Sequence, residues 1–223
     1  SLFKNCCAFL SWLCIGILGF LLVHIFSAGW EWVSFDFLKN PPSRMPHKAG
    51  LFSAFMGTIW IIVTTACIAI PMGVCSALYL EEYARKNRLN TFIEVNIANL
   101  AGVPSIVYGI LGLTLFVRFL KFGPSVLAGA LTLTLLILPV IIIASREAIK
   151  AVPPSIRLSA YALGATQFQT VFHHVLPAAL PGIMTGVILA LSRAIGETAP
   201  ILMVGAVAYV RKAPSGILDG FTA

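Results

Sequence analysis

Long apolar runs separated by short charged stretches dominate the pattern along this chain. Four runs contain no Lys, Arg, Asp or Glu, and a fifth is interrupted only by Arg193 and Glu197. A helix needs about 20 apolar residues to cross the hydrocarbon core of a bilayer. The pattern therefore predicts five membrane-spanning helices, over residues 8–28, 49–80, 95–117, 122–145 and 177–204.

The composition leads to the same fold class. Of the 223 residues, 59% are hydrophobic and only 10% are charged, whereas soluble domains carry about 25% charged residues. This excludes a soluble domain, and it excludes disorder because disordered chains are poor in apolar residues. Backbone polar groups in lipid must be satisfied within a helix or a closed barrel. We therefore expect an all-α, polytopic membrane helical bundle.

The net charge of +7 does not indicate nucleic-acid binding, because most basic residues flank the apolar runs. Such residues border membrane segments and attract anionic lipid, so we expect contact with membrane lipid and no nucleic acid. The positive-inside rule gives no orientation, because each side of the membrane would carry seven Lys and Arg residues. They are Lys4, Arg85, Lys86, Arg88, Arg146, Lys150 and Arg157 on the side of the N-terminus, and Lys39, Arg44, Lys48, Arg118, Lys121, Arg211 and Lys212 on the other.

The connection over residues 81–94 has the spacing of a helical extension of the second span. Glu81 and Arg85, and likewise Glu82 and Lys86, are four residues apart with the acid first. That orientation is the better one for an ion pair on a helix surface. The sequence thus predicts a continuous helix here that carries both pairs.

The connection over residues 151–177 is the longest polar-leaning stretch. Ala160 and Gly164 are four residues apart, so we expect them to share a small face that lets another surface approach closely, and we also expect Gly164 to break or turn the helix. Leu176-Pro177 then opens the next span. We expect a short helix, a bend and a second short helix on the membrane surface, and spacing alone favours an ordinary helical hairpin with a small-residue contact.

The pattern Ala160, Gly164, Leu176-Pro177 resembles the EAA loop of ABC importer permeases. Leu158 stands where that loop usually has a glutamate, and Ser159 where it has an alanine. Four further stretches are similar to the A-type permease subunits of Pst phosphate importers: LYLEEYA (78–84), NLAGVPSIVYGILGL (99–113), ALGATQFQTV (162–171) and LSRAIGETAPIL (191–202).

The resemblance implies a permease subunit of an ATP-driven phosphate importer in the bacterial inner membrane. Its implied partners are a C-type permease, two copies of a cytosolic ATPase and a periplasmic phosphate-binding protein. The loop at 151–177 would be cytoplasmic and contact the ATPase, which places the N-terminus inside. It also implies a first helix with a periplasmic loop over residues 1–49, a permease core over 50–223, and a sixth span beyond this chain. A permease for another oxyanion or solute is the alternative.

Arg193 and Glu197 are charged residues within an apolar span, where charges are rare and usually face a cavity or a partner. A guanidinium suits phosphate because it donates two parallel hydrogen bonds. The pair therefore predicts an anion path, in which Glu197 holds or releases the ligand. A structural ion pair that locks helix packing is the alternative, and Pro200 is expected to kink this span.

Two further residues are candidates for the substrate path. Arg146 ends the fourth span and could serve the inner mouth of an anion path, or be an interfacial charge. Ser105 follows Pro104, whose ring frees the carbonyl of Leu100, so this region is either a path lining or a packing kink. The sequence contains no catalytic set, metal-ligand spacing or P-loop, so we expect no enzyme activity, no cofactor and no metal, with ATP bound by a separate subunit.

Overall fold

The computed structural model of the chain describes residues 2–30, 33–43, 45, 49–85, 87–205, 214 and 216–222. All regular structure within these residues is helical, which confirms the predicted all-α fold class. Two compact units are present, residues 1–52 and 53–223. Among the basic residues counted for orientation, Arg44, Lys48, Lys86, Arg211 and Lys212 lie outside the described part.

The first unit holds one long apolar helix and a short one. Helix α1 (Leu2–Gly29) lacks charged residues beyond Lys4, and α2 (Phe35–Lys39) follows it. The chain after α2 folds back onto that helix, where the Leu51 N–H donates to the carbonyl of Phe37 at 2.8 Å. Gly50 lies so close to Asn40 that a Cβ there would overlap the Asn40 backbone. A glycine is therefore required at this turn.

The second unit contains the remaining helices. Two of them end in a π-helical turn, and a third π-helical turn joins α8 to α9. The elements are α3 (Phe52–Leu78, with the turn Tyr79–Tyr83), α4 (Arg88–Ala101), α5 (Ser105–Gly112, with the turn Leu113–Phe119), α6 (Val126–Lys150), α7 (Pro154–Ala162), α8 (Gln167–Thr170, with the turn Val171–Val175), α9 (Leu176–Gly196) and α10 (Ala199–Val204).

Four described helices are long and apolar enough to cross a membrane: Lys4–Gly29, Phe52–Tyr83, Val126–Lys150 and Gln167–Gly196. The pair α4 and α5 gives a fifth if it is counted as one span, but it is bent by 101°. The span predicted over residues 95–117 therefore corresponds to two helices, α4 and α5, that meet at this bend rather than to one continuous helix. The fifth predicted span also differs, because its helix ends at Gly196 rather than near residue 204.

The predicted helical extension over residues 81–94 is wrong. The π-helical turn ends at Tyr83, and Ala84 is extended with ψ of 130°. A new helix starts at Arg88, with Asn87 as its N-cap accepting from the Asn90 N–H. Arg85 is thus outside any helix, and Glu81 pairs elsewhere. The other predicted pair includes Lys86, which lies outside the described residues.

The bend between α4 and α5 is stabilised by a tyrosine. Pro104 has no N–H to donate to the carbonyl of Leu100, and the Tyr108 hydroxyl donates to that carbonyl instead, at 2.8 Å. Tyr108 is buried, with 7% of its surface exposed. The backbone N–H groups of Gly102 and Val103 close the turn onto Asn99 and Leu100. The break therefore keeps its polar groups paired, as a break in an apolar environment must.

We expect Tyr108→Phe to destabilise the subunit by about 0.5–1.5 kcal/mol, because it removes one of the two hydrogen bonds to the Leu100 carbonyl, which keeps the bond from the Val103 N–H. The measurement is thermal unfolding of the purified subunit in detergent. Tyr79→Phe is the matched control, since Tyr79 is 59% exposed. Equal unfolding temperatures for Tyr108→Phe and the unmodified protein would show that the Tyr108 hydroxyl does not stabilise the bend.

Helix α6 forms the centre of the second unit. Two thirds of the residues in its apolar stretch are buried, whereas the fraction is one third in α3 and in the helix that contains α9. Small residues allow close approach of neighbouring helices. A Cβ added at Gly186 of α9 would overlap the Cβ of Ala144, and one at Gly73 of α3 would lie 2.5 Å from Ile141. Because Gly73 and Gly186 have no side chain, α3 and α9 can approach α6 closely at these two positions.

A segment near the end of the chain caps α6. The Val126 N–H donates to the carbonyl of Asp219 at 3.0 Å, and the Leu127 N–H to that of Ile217 at 2.8 Å. Phe221 is fully buried against Ile61, Val126 and Leu133. The free N–H groups at a helix start need such partners when they are buried. This segment therefore fixes one end of the central helix.

Candidate functional site

The membrane helix α9 ends at an ion pair. The Arg193 Nε donates to Glu197 Oε1 at 3.3 Å, and the two side chains are 43% and 18% exposed. Helix α9 stops at Gly196, and Glu197 is extended with ψ of 102°. Arg193 lies in the last turn, where the helix dipole favours a positive charge. The predicted pairing of these residues is thus present, but at a helix end rather than on a continuous helix.

The break places polar backbone inside an apolar stretch. Glu197 and Thr198 separate α9 from α10, and Pro200 lies in the first turn of α10. The expectation that Pro200 kinks a continuous helix is wrong, because in a first turn its missing N–H breaks no helical bond. Non-helical backbone at membrane depth is tolerated where it is buried in protein or lines a cavity, and interrupted helices of this kind form substrate sites in transporters.

A cavity of about 120 Å³ lies beside this break. Helix α3 contributes Thr58, Ile61 and Ile62 to its walls, and the break contributes Glu197 and Thr198. Most of the wall is apolar, so the carboxylate and the two hydroxyl groups are its polar features. Thr58 is therefore part of the candidate site, although no sequence pattern indicated it.

Helix α5 packs against α10 on the far side of the break. Gly109 is required there, since an added Cβ would lie 2.9 Å from Pro200 and 3.0 Å from Met203. Ser105 is the first residue of α5 and is half-buried, one turn before Gly109. Tyr108, between them, is within electrostatic reach of Arg193. The bend of α4–α5 and the break after α9 thus belong to one region.

Arg146 lies apart from this region, at the end of α6, between two carboxylates. Its Nη2 is 3.3 Å from Glu81 Oε2 and 3.0 Å from Glu94 Oε1, and its side chain is 15% exposed. One guanidinium therefore joins α3, α4 and α6 beside a polar cavity of about 330 Å³. Because two negative charges flank it, Arg146 presents little net positive charge to an anion.

The loop over residues 151–177 is shaped by Gly164. Helix α7 ends in a Schellman motif, in which the Gly164 N–H bonds to Tyr161 and the Ala165 N–H to Ala160. Gly164 has a φ of +83°, which non-glycine residues rarely adopt. It therefore does not share a helical face with Ala160, and of the two interpretations the turn is confirmed. Ala160 is buried, and its helix α7 packs against the turn after α8.

The second half of the loop differs from the expected surface helix. Thr166 and Gln169 form a capping box that starts α8, and the helix then continues through Val175 into α9 as one span. Leu176 and Pro177 lie inside this span and do not open it. Pro177 has no N–H, and the turn before it is π-helical, with the Leu176 N–H bonded to Val171. The site thus has one surface helix, α7, joined by a tight turn to a long membrane helix.

These features define a polytopic helical membrane protein in which a short helix, α7, is joined by a tight turn to a long membrane helix that is interrupted at its far end. Residues 69–218 match the family described as "Binding-protein-dependent transport system inner membrane component". The chain therefore belongs to this family, the permease subunits of ABC importers, which confirms the resemblance at that level. Such a subunit transports and does not catalyse; it acts with another permease and with ATPase subunits. Among the described residues, no cluster of three His, Cys, Asp or Glu could bind a metal ion.

Individual relatives agree with this family. The chain is 33% identical to the "Probable ABC transporter permease protein YqgI" of Bacillus subtilis, over 91% of this chain and 67% of that protein. It is 40% identical to "Phosphate transport system permease protein PstA 1" of Mycobacterium tuberculosis (strain H37Rv), over 69% of this chain and 50% of that one. The chain thus spans half to two thirds of these relatives.

A solved structure shows the same fold. It is described as "Crystal structure of an amino acid ABC transporter with histidines", and it aligns with a TM-score of 0.54 at 20% identity. The alignment covers 69% of this chain and 70% of the other.

Proposed function

We propose that this chain is the A-type permease subunit of an ATP-driven phosphate importer, and that phosphate passes the break between α9 and α10. The observation that carries the proposal is Arg193. Its side chain remains 43% exposed at the end of an apolar helix, and a charge at membrane depth faces protein or water rather than lipid. Relatives named as phosphate permeases support the choice of solute.

The residues along the proposed phosphate path have different and complementary roles. The guanidinium of Arg193 attracts a tetrahedral anion through two parallel donors. Glu197 competes for the same donors, so the anion is held weakly enough to leave. Ser105 lies on the α5 side of the region and offers a hydroxyl. Arg146, flanked by two carboxylates, holds the inner mouth together by joining α3, α4 and α6 rather than binding the anion.

The proposed assembly is the one that the family resemblance implies, and the exposed side chain of Arg193 and the loop 151–177 are compatible with it. A C-type permease covers the Arg193 side and completes the path. Two cytosolic ATPase copies contact this subunit and its partner, here at the loop 151–177 with Ala160, Gly164, Leu176 and Pro177. A periplasmic phosphate-binding protein delivers the anion. The N-terminus is then cytoplasmic in the bacterial inner membrane, with the first helix and periplasmic loop over 1–49 and the permease core over 50–223.

The experiment is uptake of labelled phosphate in a host without its own A-type permease, complemented with the complete gene. We expect uptake at low phosphate concentration that excess sulfate does not suppress. Absence of uptake, with the subunit present and bound to its ATPase, would contradict the phosphate assignment. Uptake suppressed by sulfate would favour the alternative, a permease for a wider range of oxyanions.

A further inference from the structure

Two consecutive glutamates at the end of α3 contact different parts of the bundle. Glu81 pairs with Arg146 of α6, whereas Glu82 pairs with Arg157 of α7. Both lie in the π-helical turn Tyr79–Tyr83, which spreads successive side chains differently from an α-helix. π-Helical turns are frequent at functional sites. The end of α3 is thereby attached to the loop over residues 151–177 as well as to the central helix α6.

The contact between Glu82 and Arg157 is short and largely buried. Arg157 Nη2 and Nε donate to Glu82 Oε1 at 2.6 and 3.1 Å, and the side chains of Glu82 and Arg157 are 9% and 22% exposed. The same guanidinium donates to the carbonyls of Val152 and Ile149, at 2.8 and 3.0 Å. These are carbonyls at the end of α6, where a cation is favoured. One side chain therefore joins α3, α6 and α7.

The other half of the loop contacts the same glutamate. Gln167, the first residue of α8, donates its side-chain amide to the Glu82 carbonyl at 2.6 Å. Arg157 and Gln167 lie on opposite sides of the turn at Gly164, so both arms of the loop are tied to one residue of α3. Between them Leu163 is 90% exposed at the tip. The loop is thus anchored at its base and open at its tip.

Helix α3 connects this base with the candidate site. Its 27 residues form one helix, about 40 Å long at 1.5 Å per residue. Its other end supplies Thr58, Ile61 and Ile62 to the cavity beside Glu197. Helix α3, which is continuous although it contains Pro71, therefore links the base of the loop to the cavity wall.

We propose that Glu82, Arg157 and Gln167, here called the Glu82 cluster, are positioning residues that transmit movement of the ATPase-contacting loop to α3. The inference rests on the proposed role of the loop 151–177. Without the cluster, α7 and α8 move with the ATPase while α3 stays in place. ATP hydrolysis then continues with less transport.

The test uses the complete transporter, purified and reconstituted in vesicles, with ATP hydrolysis and phosphate uptake measured together. Glu82→Gln and Arg157→Gln are expected to lower the phosphate transported per ATP by about fivefold or more, the lower end of usual coupling effects. The double variant is expected to be no worse than either single one, because the residues act as one unit. Gln167→Ala, which removes a single amide contact, should lower the ratio in the same direction.

The matched control is Glu147→Gln. Glu147 forms an ion pair with Lys150 near the same end of α6, but both side chains are exposed, at 66% and 49%. Exposed pairs contribute little, so this variant should keep the unmodified ratio. An unchanged ratio in Glu82→Gln, Arg157→Gln and Gln167→Ala, all assembled normally, would overturn the proposal.

A second measurement does not depend on the transported solute. Cys75 is an exposed native thiol near the same end of α3. With the other exposed cysteines (Cys6, Cys7, Cys14 and Cys67) replaced by Ala, its rate of maleimide labelling reports movement of α3. We expect ATP to change this labelling rate in the transporter with an intact Glu82 cluster and not in the Glu82→Gln variant. If phosphate is not transported but this difference is seen, the substrate assignment fails and the Glu82 cluster stands. If ATP changes the rate equally in both, the cluster does not transmit movement.

Discussion

Replacing Arg193 with Gln is expected to reduce phosphate uptake by about a factor of ten or more, while the subunit still inserts and assembles. A hydrogen bond to a charged group contributes about 1.5–3 kcal/mol, and 1.4 kcal/mol corresponds to tenfold. The substitution also leaves the Glu197 carboxylate without its cation, so a negative charge faces the anion. Uptake of labelled phosphate at low concentration measures the effect, with subunit amounts determined in the same membranes.

Three comparisons separate an anion contact from a structural ion pair at Arg193. Arg193→Lys keeps the charge but loses the planar fork of donors, so intermediate uptake is expected. Arg118→Gln removes an exposed arginine at the end of α5 and should leave uptake unchanged. The double variant Arg193→Gln/Glu197→Gln is neutral and can still form a side-chain hydrogen bond. Normal uptake in this double variant would mean that the pair only locks the helix end.

Replacing Gly186 with Leu is expected to prevent stable packing of α9 on α6. An added Cβ overlaps the Cβ of Ala144, which cannot rotate away because it is fixed to the α6 backbone. Overpacking of this kind costs about 1–3 kcal/mol or more. Unfolding temperature in detergent and the amount of subunit in membranes should both fall clearly.

Space at the α6–α9 contact can be tested independently of leucine. Gly16→Leu is the control, because a Cβ at Gly16 meets nothing within 4 Å. Gly186→Ala combined with Ala144→Gly moves the methyl group from one helix to the other and should be more stable than Gly186→Ala alone. If Gly186→Leu is as stable as Gly16→Leu, then α6 and α9 are not packed as described.

The sequence alone was sufficient for the features that depend on local composition. Charge-free runs of about 20 residues indicate membrane helices, because a helix of that length crosses the bilayer core and satisfies its backbone polar groups within one segment. The same logic selected Arg193 and Glu197, since charges inside such a run are rare. Gly164 and its neighbours were recognisable because a left-handed backbone conformation restricts the residue type at one position. The family resemblance followed from short contiguous stretches of sequence, such as residues 162–171 and 191–202, which can be compared without knowing the fold.

Only the tertiary structure decided the contacts between distant segments. Glu82 and Arg157 are 75 residues apart, and Glu81 and Arg146 are 65 apart. Spacing favoured Glu81–Arg85 because local periodicity shows only partners on the same helix, whereas the chain stops being helical at Ala84. Likewise, Pro104 indicated a freed carbonyl at Leu100, but only the structure shows the 101° bend and the Tyr108 hydroxyl that donates to this carbonyl. Which carboxylate meets which guanidinium is set by helix packing, and a single sequence carries no local signal for that.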